Sequence, residues 1–312
     1  MERVPCNLCG HDDAVPYMRV RDLFLERSDV HADLVQCTHC GLVYQSPRPS
    51  ADEILAHYPL EYELYNDPVA AQQRGGLRQW ANSYGMRKRC RYVTKHVAAG
   101  ALLDVGCAAG TFLLAMRSTG DWTVTGVELN AEVARQTRER YGLDVIAGTL
   151  EDAHLAPAQF DAVTMWDVLE HVYDPVATLR EIHRLLKPGG ILVIRVPNLS
   201  SWDARLFGCA WAGYDAPRHL YFFNPATLTA LLEQSGFEVK AHSTAISNYM
   251  VFALDVRYWM TARGVAASTK ARVSRLLYHP VTRLVTAPFF YFTNFGLRGP
   301  ALVTTARKPV PT

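Results

Sequence analysis

Apolar and polar positions follow two different patterns along this chain. From Ala101 onward, short apolar runs recur at Ala101–Val105, Trp122–Glu128, Asp144–Ala147, Phe160–Trp166 and Ile191–Val196. Each has the length of a buried strand and is too short for a typical helix. Between and after them, Thr111–Ser118, Ala131–Arg140, Pro175–Leu186 and Pro225–Gln234 place apolar residues at three- and four-residue spacing. These segments read as helices, the third stopped at Lys187-Pro188-Gly189-Gly190. Strands alternating with helices predict an α/β architecture, a doubly wound sheet covered on both faces. The first 50 residues follow a shorter period, with Asp33–Cys37 and Leu42–Gln45 closed by Ser46-Pro47-Arg48-Pro49. A small β-unit over residues 1–50 is expected there. Within a linker at 51–97, Gly76–Val97 sets Leu77, Trp80, Tyr84, Cys90 and Val93 on one helical face. Residues 98–312 then form the main domain.

The small β-unit carries two matching motifs, Cys6-Asn7-Leu8-Cys9-Gly10 and Cys37-Thr38-His39-Cys40-Gly41. Thiolates three positions apart can face one ion, and the glycine after each pair lets the backbone turn beneath the sulfurs. Cys6, Cys9, Cys37 and Cys40 would complete a tetrahedral shell with no open position, so the expected ion is a structural zinc in a ribbon. A redox pair would instead sit at a helix N-terminus on a thioredoxin-like unit. The 27 residues between the pairs exceed a minimal ribbon loop, and His39 is a competing ligand. Cys90, Cys107 and Cys209 read as packed thiols. Seven cysteines suit a reducing compartment better than a disulfide framework, and no basic stretch followed by an apolar core succeeds Met1. A cytoplasmic protein is expected.

The first strand of the main domain opens into a loop of small residues, Asp104-Val105-Gly106-Cys107-Ala108-Ala109-Gly110-Thr111. Such a loop lets backbone lie against a nucleotide at the carboxyl end of a strand. A dinucleotide fingerprint would need glycine where Thr111 stands; here the small positions are Gly106, Ala108 and Gly110. The second strand ends in Glu128-Leu129, which places a carboxylate where two ribose hydroxyls would meet it. Together with Phe160-Asp161-Ala162-Val163 and Leu186-Lys187-Pro188-Gly189-Gly190, this segment resembles the class I S-adenosylmethionine-dependent methyltransferases, a Rossmann-like fold. The resemblance runs from Ala101 to Gln234 and on into Gly236–Val239. It implies that Asp104, Gly106, Cys107, Ala108 and Gly110 flank the methionine moiety. It further implies that Glu128 and Leu129 meet the ribose and that Leu150, Glu151 and Trp166 border the cofactor. Ala108 departs from the usual middle glycine. The paired cysteines ahead of such a domain resemble a bacterial subgroup with an N-terminal ribbon.

Methyl transfer to a hydroxyl needs alignment and removal of a proton, which directs attention to histidines after the fourth and fifth strands. Trp166-Asp167-Val168-Leu169-Glu170-His171 resembles a segment of the ubiquinone-pathway O-methyltransferases. In those, two acids and a histidine can hold a divalent ion, which maps onto Asp167, Glu170 and His171. Packing of Glu170 and His171 at the start of the next helix is the plainer reading. Asp215-Ala216-Pro217-Arg218-His219 more distantly resembles the Tyr-His-Glu-His segment of zinc-containing deoxysugar C-methyltransferases, with His219 at the second histidine. Ala216, Pro217 and Arg218 replace the other three residues, which favours hydroxyl chemistry. His171 and His219 are the candidate catalytic bases, Arg218 a partner for an acceptor anion, and Trp202, Trp211 and Tyr214 candidate stacking surfaces.

Charge changes the picture mainly at the end of the chain. Residues 241–312 carry nine Lys and Arg against one acid, Asp255, whereas residues 98–240 carry 11 against 17. An insertion at about 246–300, rich in aromatics around Phe289–Phe295, is expected between the closing strands Phe237–Ser243 and Ala301–Ala306. It reads either as an element docking on an anionic membrane surface or as a lid or dimer interface. The expected function is O-methylation of a glycan, lipid-linked or natural-product small molecule. The alternatives are an RNA methyltransferase gripping phosphates through ribbon and tail, and a non-catalytic binding module. A charge-neutral ribbon and an acidic core weigh against nucleic acid. Nothing in the sequence fixes the oligomeric state.

Overall fold

The computed structural model describes residues 1–58, 77–244, 248–292 and 295–311. The apolar runs form the strands β4 (Gly100–Val105), β5 (Trp122–Glu128), β6 (Asp144–Ala147), β7 (Phe160–Trp166) and β8 (Leu186–Pro197). With β10 (Glu238–Ser243) and β11 (Ala301–Arg307), they make a seven-stranded sheet in the order β10-β11-β8-β7-β4-β5-β6. Strands β4 to β8 are parallel, and β11 pairs antiparallel with both β8 and β10. This is the doubly wound, Rossmann-like architecture of class I methyltransferases. The central strands are predominantly apolar because helices cover both faces.

Local chemistry sets the helix starts. Helices α4 (Ala131–Tyr141), α5 (Pro175–Leu185) and α7 (Pro225–Gln234) are capped by Asn130, Asp174 and Asn224, whose side chains accept from first-turn N–H groups. Helix α3 (Thr111–Arg117) starts instead from Gly110 in the left-handed region. The expected stop at Lys187–Gly190 belongs to β8. Gly189 N–H donates to the Lys308 carbonyl at 3.0 Å and Lys308 N–H to the Gly190 carbonyl at 2.9 Å, so the segment continues the sheet. Helix α2 (Leu77–Thr94) buries Cys90 and Val93 against the sheet. The side chains of Leu77, Trp80 and Tyr84, and residues 59–76 of the linker, lie outside the described residues.

The N-terminal unit is built on a long hairpin, β1 (Ala14–Asp22) and β2 (Arg27–Cys37), followed by β3 (Val43–Gln45) and a single turn, α1 (Ala51–Ile54). Its sheet does not end within the first 50 residues. β3 pairs antiparallel with β9 (Tyr221–Phe222), through Val43 with Phe222 and Tyr44 with Tyr221. The order of this second sheet is β1-β2-β3-β9. Val20, Ala32 and Leu34 of the hairpin and Val43 of β3 share a core with Trp211, Tyr214, Ala216 and Phe222 of the segment after β8. That segment, the lid, includes α6 (Trp202–Phe207) and follows the carboxyl end of β8. The insertion forms three helices, α8 (Asn248–Ala262), α9 (Ala267–Leu277) and α10 (Pro280–Phe292). Residues 245–247 and 293–294, and the side chain of Phe295, lie outside the described residues.

Candidate active site

Strands β4 and β7 are neighbours at the centre of the sheet, and the chain leaves them toward opposite edges, which opens a crevice at their carboxyl ends. The loop after β4 lies there. Gly106, Ala108 and Gly110 have φ of 73°, 46° and 69°, and the N–H groups of Gly106 and Cys107 donate to the Val127 carbonyl at 2.8 and 3.0 Å. A Cβ on Gly106 would come within 2.5 Å of the Val168 side chain, so the loop is pressed onto the turn that follows β7. Cys107 is buried and packs against Gly126.

Glu128 ends β5 beside this loop. One carboxylate oxygen accepts from the Ala108 N–H at 2.9 Å and the other from the Asn130 N–H at 2.8 Å. Burial pushes its pKa up, and the two N–H groups oppose that shift. Each oxygen keeps a further lone pair, the requirement for meeting ribose hydroxyls. Asp104 is buried and accepts from the Thr164 hydroxyl at 2.6 Å; burial pushes it up to about 7. Trp166 is buried at the end of β7, edge-on to Phe112 at 5.2 Å, with the Arg89 guanidinium 5.1 Å from its ring centre. Beyond β6, Leu150 is buried and Glu151 is exposed, and Leu129, directly after β5, is exposed as well. A small-residue loop, a carboxylate fixed by backbone and an aromatic wall fit a nucleoside cofactor.

One turn further on, the structure revises the expected acid cluster. Asp167, at φ 60°, pairs with the Arg195 guanidinium at the end of β8 and leaves the group to which the sequence assigned it. His219 takes its place, so that Glu170, His171 and His219 each offer one ligand atom within 4.8 Å of the others. The two imidazoles meet edge-on at 4.5 Å. His219 Nδ1 lies 2.8 Å from the Gly213 carbonyl, and His171 Nδ1 lies 3.1 Å from the Arg218 carbonyl and 3.0 Å from the Tyr58 hydroxyl. An Nδ1–H donated to a carbonyl leaves Nε2 with its lone pair. Glu170 is fully buried, and neither carboxylate oxygen has a hydrogen-bond partner among the described residues. Burial, then Asp167, pushes its pKa up; burial, then His219, pulls His171 down to about 3, and burial lowers His219. The packing reading holds only in part: Leu220 N–H donates to the Glu170 carbonyl at 2.8 Å, but the side chain is not satisfied by that bond.

Arg218 does not face an acceptor. It is fully buried, held by Asp22 of β1 at 2.9 and 3.2 Å and by Asp215 at 2.7 and 3.0 Å. A guanidinium removed from water requires such pairing. Trp211 and Tyr214 pack edge-on against each other in the core between the hairpin and the lid, and Trp202 alone of the three aromatics is exposed. Arg89, Arg195, Asp22 and Tyr58 escape the sequence reading, because no spacing ties them to the motifs they contact.

In the ribbon, Cys6 and Cys40 Sγ are 3.4 Å apart, as are Cys9 and Cys37 Sγ at 3.5 Å, and all four gather in one cluster. Both turns have the same build: Gly10 N–H donates to the Cys6 carbonyl and Gly41 N–H to that of Cys37, with φ of 77° and 75° at the glycines. Tetrahedral zinc at its usual bond length to sulfur separates thiolates by about 3.8 Å, close to this spacing. His39 stands apart from the thiols, 3.2 Å from Asp13 and stacked on His11.

Residues 77–242 match a family model described as a methyltransferase domain. The chain belongs to this family and is an S-adenosylmethionine-dependent methyltransferase. It is 35% identical over 157 residues to a ubiquinone biosynthesis O-methyltransferase of Pseudomonas paraeruginosa, covering 46% of this chain and 67% of the relative. It is 31% identical over 193 residues to the protein of that name in Cereibacter sphaeroides, covering 51% and 78%. A crystal structure of the [4+2]-cyclase SpnF superposes at a TM-score of 0.54 and 19% identity over 85% of this chain and 98% of that one. This last likeness shows the fold alone, and a cyclase on the same fold illustrates why chemistry must be argued from the site.

Proposed function

We propose that this enzyme methylates a hydroxyl oxygen of a small-molecule or lipid-linked acceptor and that Glu170, His171 and His219 surround that oxygen. The observation that carries the reading is the position of this cluster. Glu170 and His171 come directly after the turn at Val168 that closes against Gly106 of the cofactor loop, and His219 joins them from the lid. Bound S-adenosylmethionine supplies a methyl on a sulfonium, which needs no activation of its leaving group. The work left to the protein is to hold the acceptor in line and take its proton. His219 Nε2 takes that proton, its tautomer set by the Gly213 carbonyl. Glu128 and the Gly106–Gly110 loop hold the cofactor, with Asp104 and Trp166 bordering it. The names of the relatives agree with oxygen as the methylated atom.

A second reading rests on the same three side chains. Two imidazoles whose Nδ1 atoms face carbonyls, together with an unpartnered carboxylate, form a donor set suited to a divalent ion. In that case the ion would bind the acceptor oxygen. The four ribbon thiolates are proposed to hold a structural zinc.

Release of S-adenosylhomocysteine from a panel of phenolic, sugar and lipid-linked alcohols tests the proposal. His219→Gln should lower kcat by about a hundredfold while leaving the cofactor Kd within about twofold. An unchanged kcat on an active acceptor would overturn the role of His219. Loss of turnover in EDTA, restored by magnesium or manganese, would select the divalent-ion reading.

A further inference from the structure

The insertion presents an apolar surface that the fold leaves uncovered. Helix α10 packs on α8 through Phe290, whose ring meets those of Tyr249 and Phe252 edge-on at 5.0 and 5.2 Å. Its other face should then be polar, yet Val281, Leu284, Val285, Pro288, Phe289 and Phe292 fall at i, i+3, i+4, i+7, i+8 and i+11. That is one continuous stripe along the helix. All six are exposed, Leu284 and Val285 by 75% and 72% and Phe289 by 62%. Arg272 and Arg275 on α9 and Arg263 before it are exposed, and Arg283, also exposed, lies on the Phe290 side of α10, 5.6 Å from the Tyr249 ring centre. From residue 256 to the end of the sequence there is no acidic side chain.

We infer that this face docks on the surface of an anionic lipid bilayer. The stripe would enter the boundary between headgroups and acyl chains while the arginines meet lipid phosphates. At 13 residues, α10 is about 20 Å long, too short to cross, and among the described residues no helix is long and apolar enough to span a membrane. The element therefore lies on the surface. Charge argues against a second copy of the chain as occupant. A twofold contact would place each face against itself and bring arginines onto arginines, with no acid in the insertion beyond Asp255 to separate them. A nucleic acid would satisfy the cations and leave the large side chains of the stripe uncovered.

Flotation of the full-length protein with vesicles tests the inference. The vesicles would be pure phosphatidylcholine or contain about 30% phosphatidylglycerol, at low and high salt. Binding to the anionic vesicles should exceed binding to the neutral ones by at least about tenfold and weaken with salt. Arg272→Glu with Arg275→Glu should reduce it by about tenfold or more, and Leu284→Glu with Phe289→Glu should abolish it. Both variants should keep wild-type affinity for S-adenosylmethionine, which shows that the enzyme remains folded. Absence of vesicle binding, or equal binding to neutral vesicles, would overturn the inference. So would light scattering that shows a wild-type dimer split by the Leu284 and Phe289 pair, because the face would then be a contact between copies. Salt-sensitive RNA binding without vesicle binding would overturn it as well.

Discussion

Two residues at the cofactor loop, Ala108 within it and Glu128 beside it, show how much one side chain decides. Ala108 holds φ 46°, a region in which a Cβ crowds the following carbonyl. The strain persists because its N–H is fixed by Glu128 and its carbonyl accepts from the Thr137 hydroxyl at 3.4 Å. Ala108→Gly relieves it at some cost in unfolded-chain entropy, so a net gain of about 0.5 to 1 kcal/mol is expected in denaturant unfolding. Cofactor affinity should be equal or tighter; a less stable variant would show that the alanine methyl contributes packing. Glu128→Ala should have the opposite effect. It leaves the Ala108 and Asn130 N–H groups without their carboxylate and removes the acceptor for the ribose. Charged hydrogen bonds of this kind are worth about 1.5 to 3 kcal/mol, so S-adenosylmethionine should bind at least about tenfold more weakly by calorimetry.

At the scale of elements, the strand runs were legible because burial on both faces leaves short, largely apolar runs. β5, β6 and β7 begin and end where the pattern places them. Side-chain caps made the helix starts nearly as plain. Asp167 and Arg218 mark the limit of such reading. Motif spacing placed each near the site, but their partners Arg195 and Asp22 lie 28 and 196 residues away and capture them. β9 escaped for a related reason: a two-residue strand has no period, and only pairing with β3 creates it. The junction of α6 with α8 is another long-range product, in which Asp203 and Asp255 meet in the core and Asp255 accepts from the Ala212 N–H at 2.6 Å. Burial raises both pKa values, Asp255 well above the usual carboxylate range. The folded state then holds more protons than the unfolded state above about pH 4, so stability falls as pH rises through the raised values. Asp255→Asn should keep both contacts and remove that penalty. Its unfolding midpoint should exceed that of the wild type at pH 8 and converge with it near pH 4, and a constant offset across that range would exclude the raised carboxyl pKa values as the cause.

Taken whole, the molecule couples its two modules more closely than paired motifs in separate segments would imply. The ribbon hairpin continues through β3 into β9 of the lid, Gln45 N–H donates to the Leu220 carbonyl at 2.8 Å, and Arg218 is shared between Asp22 of the ribbon and Asp215 of the lid. His219 lies between Arg218 and that strand, so the geometry of the proposed acceptor site depends on the ribbon keeping its shape. The cofactor loop follows β4 of the other sheet, and its hydrogen bonds run to Val127, Glu128 and Thr137 of that sheet and its helix. Loss of the proposed zinc should therefore act on catalysis and on binding unequally. Its thiolates close the turns from which the hairpin rises, and structural zinc contributes directly to folding of such small units. Cys37→Ser with Cys40→Ser, or chelation confirmed by metal analysis, should lower kcat by an order of magnitude or more while leaving S-adenosylmethionine affinity within a few-fold. Wild-type turnover from protein shown to be free of zinc would mean that the β3–β9 pairing holds the lid without the metal. A parallel loss of cofactor binding would mean that unfolding spreads into the main sheet.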